Sequence, residues 1–188
     1  MERHPLNPDA HNLEDAFFAD ENRRLLQRLR EKGEREAQLA ELRQVMPRAD
    51  DAMLDHFLAL GIRAETALAV VLVPLALVAW ADGAVEPRER EAILRAAEGR
   101  GLKAGTPARE LLESWLGRKP GKDVVDAWRR YVRTVGTDLS VDERHRVREE
   151  ILGMARGVAE AAGGFLGLTS KVSAAERAVL EDLERALS

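Results

Sequence analysis

The sequence contains no cysteine. That excludes disulfides, thiolate nucleophiles and thiolate zinc sites, and it agrees with a reducing compartment. Aromatic residues make up only 4% of the chain, too few for the stacking platforms that hold single-stranded nucleic acid. An excess of basic charge is lacking as well. The 29 Lys and Arg are outnumbered by 33 Asp and Glu, for a net charge of −4, which repels a phosphate backbone and argues against nucleic acid as a partner. Long hydrophobic runs are missing too. The longest uncharged apolar stretch, Ala67 to Ala81, contains Pro74 and is shorter than the ~20 residues of a bilayer span, so no transmembrane segment is expected. The opening residues, MERHPLNPDA, lack the apolar centre of a secretory signal. A cytoplasmic protein is expected.

Chemistry-bearing motifs are also sparse. No Ser, His and acid arrangement and no glycine-rich phosphate loop occurs. His4, His11, His56 and His145 show no metal-ligand spacing and read as surface residues. The expectation is a protein that is not an enzyme.

What is present is a globular composition, 45% apolar and 33% charged over 188 residues, enough for one domain with an appended arm. No stretch alternates with period two, whereas cap and turn signals divide the chain into helices. A first helix is expected to start after Asn12 and to continue past Gly33 towards Met46. Its Phe17, Phe18, Leu25, Leu26 and Leu29 form a thin apolar stripe amid mixed charge, the pattern of a solvated arm that docks along one side. A short helix in DDAMLDHFLALG ends at Gly61. Residues 1–58 therefore read as a charged helical arm with a short helix, and residues 59–188 as the helical domain.

Within that domain, residues 64 to 81 predict one helix, apolar around its circumference and bent by Pro74, at the centre of the fold. Pro87 and Pro107 each suit the first turn of a following helix, the second capped by Thr106 and ended by Gly117. Ser140 with Glu143, and Ser173 with Glu176, have the spacing of capping boxes. Gly153 and Gly157 lie one turn apart in the helix begun by Ser140, and a close helix crossing would compensate their poor helix propensity.

The stretch VPLALVAWADGAVEPREREAIL resembles the signature of the TerB-like family, to which tellurite-resistance TerB proteins and the N-terminal domain of the DjlA co-chaperone belong. Its elements are an apolar helix ending in Ala-Asp-Gly, then a valine, then a glutamate opening the next helix. The resemblance covers roughly residues 60 to 188 and implies an all-α fold, a helical bundle of two pseudo-symmetric halves. A degraded second copy follows: Val172 and Glu176 repeat the spacing of Val85 and Glu89, while Thr169 and Ser170 replace Asp82 and Gly83. Family members are associated with tellurite and other stress responses, membrane-associated complexes and metal binding.

Asp82, Glu86 and Glu89 form a carboxylate cluster that offers a candidate site for a divalent cation, Ca, Mg or Mn. Asp-Gly-x-Val-x-x-x-Glu copies the second half of an EF-hand loop. The ligand positions four and two residues before the aspartate, however, are Val78 and Trp80, so the calcium loop itself is excluded. The competing reading is structural, with Glu89 accepting backbone N–H groups at a helix start and Asp82 bracing the turn. A candidate anion patch is Arg129, Arg130 and Arg133, beside Trp128 and Tyr131. Arg144, Arg146 and Arg148 follow closely, with Asp142, Glu143, Glu149 and Glu150 as expected ion-pair partners. Together these features predict a non-enzymatic interaction or scaffold protein linked to stress response, binding a protein partner through its arm. The alternative is a divalent-metal-binding or sensing module centred on Asp82 and Glu89.

Overall fold

The computed structural model describes residues 8–162 and 172–187. The expected last loop, GGFLGLTSK, lies outside the described residues, as do Thr169 and Ser170 of the degraded second copy. The described residues are all-helical and contain no strand.

Two compact units divide the chain, Met1–Ala40 and Glu41–Ser188. The first is helical from Pro8, ahead of the expected start, because proline suits a first helical position where no N–H is needed. This helix, α1 (Pro8–Val45), passes through Gly33 without a break and runs on into the second unit. In the first unit Phe17, Phe18, Leu25, Leu26 and Leu29 are all exposed. Asp20 pairs with Arg24 at 2.8 Å, and Gln27 donates to Glu31 at 2.9 Å, both across one helical turn.

The second unit begins with the last turn of α1, whose Leu42 is fully buried along with Met46 beyond it. Helix α2 (Asp51–Ala59) lies in this unit too, capped by Asp50, which accepts the Met53 N–H at 2.7 Å. Its Met53, Leu54 and Phe57 are buried, and Phe57 meets Tyr131 edge to face. Gly61, at φ +79°, adopts the left-handed conformation that ends the helix.

The single apolar helix expected from residues 64 to 81 is two helices in the structure, α3 (Ala67–Val70) and α4 (Val73–Ala79). Pro74 has no N–H to give the carbonyl of Val70, so the ladder breaks there. The chain bridges the gap with tight turns, Leu72 N–H to Ala69 at 3.0 Å and Leu75 N–H to Leu72 at 3.1 Å. Pro74 thus occupies the first turn of α4 rather than bending a helix. Burial is not uniform around this segment, because Leu68 is exposed and Leu77 half-buried. The centrality of α4 does hold: it packs on α5 (Pro87–Gly99), α6 (Pro107–Gly117), α8 (Val141–Ala162) and α9 (Ala174–Ala186). Its Val73, Leu75, Ala76 and Val78 are fully buried.

Around that centre, α5 packs on α8, α8 on α9, and α7 (Lys122–Asp138) on α2 and α9. Trp80, at the end of α4, donates its indole N–H to the Trp115 carbonyl at 2.8 Å, which fixes the exit of α4 against α6. The close crossing expected at Gly153 and Gly157 is absent among the described residues. Both face outward, and a Cβ added at either would meet nothing within 4 Å. Among the described residues no helix is long and apolar enough to cross a membrane.

Candidate functional site

The corner between α4 and α5 turns on Gly83, whose φ of +92° lies in the left-handed region where a side chain is strained. Its N–H closes onto the Trp80 carbonyl at 3.1 Å. Asp82 stands exposed on this turn, and Glu86 is the exposed N-cap of α5. Pro87 then starts the helix. Glu89 folds back, its Oε2 accepting the Glu86 N–H at 2.7 Å. This reach-back satisfies an orphan donor of the helix start and draws the carboxylate inward, where it is only 3% exposed.

The start of α9 is built the same way. Glu176 accepts the Ser173 N–H at 2.6 Å through Oε2, and the Ser173 hydroxyl accepts the Glu176 N–H at 3.1 Å. Glu176 is also 3% exposed. The two helix starts meet: the Ser173 hydroxyl donates to Asp82 Oδ1 at 3.0 Å. The second carboxylate oxygen of Glu176, Oε1, is buried with no hydrogen-bond partner among the described residues. A buried polar oxygen without a donor is costly and rare in a folded protein.

These neighbours act on the Glu89 carboxyl group. Burial raises it from its ordinary 4.5 to about 7, against the opposing pull of the Glu86 N–H, and the charges of Glu176, Glu86 and Asp82 push the same way as burial. A desolvated carboxylate pair of this kind favours any added positive charge, either a proton or a cation. All the donors are hard oxygens, the type that Mg, Ca and Mn accept. Among the described residues, no group of three His, Cys, Asp or Glu side chains stands arranged to hold a metal ion. Asp82 instead turns to Ser173.

The structure thus gathers Asp82, Glu86 and Glu89 at one corner, where the charges of Glu86 and Asp82 both act on Glu89 and Glu86 also caps α5. Two members were not read from the sequence as part of the corner, Ser173 and Glu176, which were expected only to cap α9. The repeated spacing of Val85 and Glu89 in Val172 and Glu176 was the available signal. The other expected caps are in place, with Ser140 N–H donating to Glu143 at 2.9 Å and the Glu143 N–H to the Ser140 hydroxyl at 3.3 Å.

The arginines of the candidate anion patch part company. Arg129 pairs with Asp182, and Arg130 with Asp50 at 3.2 Å, so both are engaged by acids of neighbouring helices or caps. Arg133 has no ion pair among the described residues. Arg148 pairs with Glu184, and Glu150 with Arg100, so α8 pairs with other helices rather than along its own face. Compared with known proteins, the chain matches no family model, no curated protein and no solved structure.

Proposed function

We propose that the compact unit is a non-enzymatic, TerB-like module that binds a divalent cation at the corner formed by Asp82, Glu89 and Glu176. The observation that carries this reading is the buried, partnerless Oε1 of Glu176 beside a second buried carboxylate. A cation would supply the positive charge that the pair lacks, and Asp82 would join it by leaving Ser173. Backbone carbonyls and water would complete the shell, since hard cations take six or more oxygens. The two helix starts carry the same glutamate reach-back, the arrangement expected from two pseudo-symmetric halves. The link to tellurite or general stress response rests on the resemblance of the Ala-Asp-Gly corner alone.

Melting curves of the chelator-treated protein test the proposal. Saturating calcium, magnesium or manganese should raise the melting temperature of the wild type by an amount that follows RT ln(1 + [L]/Kd), and should leave Glu176→Gln unmoved. Equal shifts in both proteins, or none in either, would reject it.

A second reading concerns the first unit. Its five large exposed apolar side chains, Phe17, Phe18, Leu25, Leu26 and Leu29, favour an arm that engages a protein partner through an amphipathic helix. In that reading the cation site and the arm belong to one adaptor, with the compact unit sensing and the arm recruiting.

A further inference from the structure

A cleft of about 360 Å³ opens between α7 and α8, reached at one end by Ala186 and Leu187. Its volume falls in the range of small-molecule sites, roughly 300–1,000 Å³. The walls are aliphatic, with Val71, Val132, Val135, Leu139, Val147 and Ile151. Several of these are half-buried, and Val147 is 37% exposed.

The charged groups in the cleft share one sign. Among the described residues, Arg133, Arg144 and Arg148 line it and no Asp or Glu does. Arg133 and Arg144 make no ion pair among the described residues. Arg148 pairs with Glu184 through its terminal nitrogen, yet its Nε is buried without an acceptor. Trp128, fully buried at the cleft wall, likewise has an indole N–H with no acceptor among the described residues. Buried donors without acceptors are rare in native structures, and an acceptor arriving from outside would satisfy both of these. An aliphatic slot beside donors and cations, with no acid, matches a ligand with an apolar tail and an anionic, acceptor-rich head.

We propose that this cleft binds a small anionic amphiphile, an alkyl carboxylate of the fatty-acid type, its chain along the valines of α7 and its carboxylate on Arg133, Arg144 and the free Nε of Arg148. Arginine suits that head because its planar fork meets a carboxylate at two points. The site is separate from the acidic corner and stands whether or not a cation binds there.

Calorimetric titration of the full chain with decanoate, kept below its micelle-forming concentration, tests the inference. Decanol and decyltrimethylammonium serve as the uncharged and cationic controls. Saturable binding of decanoate at a single site is expected, stronger than that of decanol, with none for the cation. The Trp128 indole N–H resonance should shift as decanoate is added. The exposed pair Arg133→Ala and Arg144→Ala should weaken binding about tenfold or more, since charge-assisted hydrogen bonds are lost. Val135→Trp, which fills the slot, should abolish binding, with circular dichroism showing that both variants remain folded. No saturable heat with decanoate, equal binding of the cationic amphiphile, or unchanged affinity in both variants would overturn the proposal. A dimer that Val135→Trp breaks and decanoate does not would assign the cleft to a second copy instead, and would overturn it equally.

Discussion

Glu89 is held between two requirements. Its carboxylate closes the first turn of α5 by taking the Glu86 N–H, and the same contact buries it beside Glu176. Burial then penalises its charged form and lifts the carboxyl from 4.5 to about 7. The folded protein therefore keeps a proton that the unfolded chain releases, so stability falls as pH rises from 4.5 to about 7 and levels off above. With chelator present, the wild type should lose on the order of 3 kcal/mol across that window. Glu89→Gln keeps an acceptor for Glu86 and has nothing to titrate, so urea melts at a series of pH values should show a flatter profile. An identical fall in wild type and variant would place the titrating group elsewhere. The carboxylates at this corner were legible in the sequence as Asp82, Glu86 and Glu89. The membership of Glu176 in the corner was not, because Ser173 and Asp82 lie 91 residues apart in the chain and only the fold brings the start of α9 to that of α5.

Helix starts were the most legible elements, since caps act through residues three positions apart. Asp50, Thr106, Ser140 and Ser173 each accept an N–H at their helix start; the proline after Thr106 pointed to the second, and capping-box spacing to the last two. Helix interiors were less legible. An uninterrupted apolar run gives no sign of where a ladder breaks, and Pro74 read as a bend although it opens α4. Nor does a pair of glycines one turn apart reveal whether a neighbour lies against them. Gly153 faces open space, so Gly153→Ala should raise stability by about 1 kcal/mol in thermal or urea melts. A loss there would reveal a contact at that face. At the centre of the unit, Leu75 is fully buried where α4 is surrounded by four helices. Leu75→Ala should cost about 2–5 kcal/mol through the cavity it leaves, and Leu77→Ala, half-buried, clearly less. Equal effects at both positions would contradict the placement of α4.

At the scale of the whole molecule, the all-helical class followed from the absence of period-two patterning and the density of caps. The extent of the compact unit did not follow from local signals. It takes in Leu42, Met46 and the buried face of α2, residues set among charges like those of the arm. A protein lacking residues 1–40 should melt cooperatively and keep its near-ultraviolet circular dichroism. Extending the deletion through Met46 removes two buried side chains and should lower the melting temperature markedly. A molten product from the shorter deletion would make the arm part of the core. The proposal that ties these scales together is a cation held where two helix starts, distant in sequence, meet in one domain. Titration calorimetry of the chelator-treated full chain with calcium, magnesium and manganese, at about pH 8 and about pH 5, tests it most directly. One stoichiometric isotherm at the higher pH, lost at the lower pH where Glu89 holds its proton and abolished by Glu176→Gln, is expected. Flat heats with all three cations at the higher pH would contradict it.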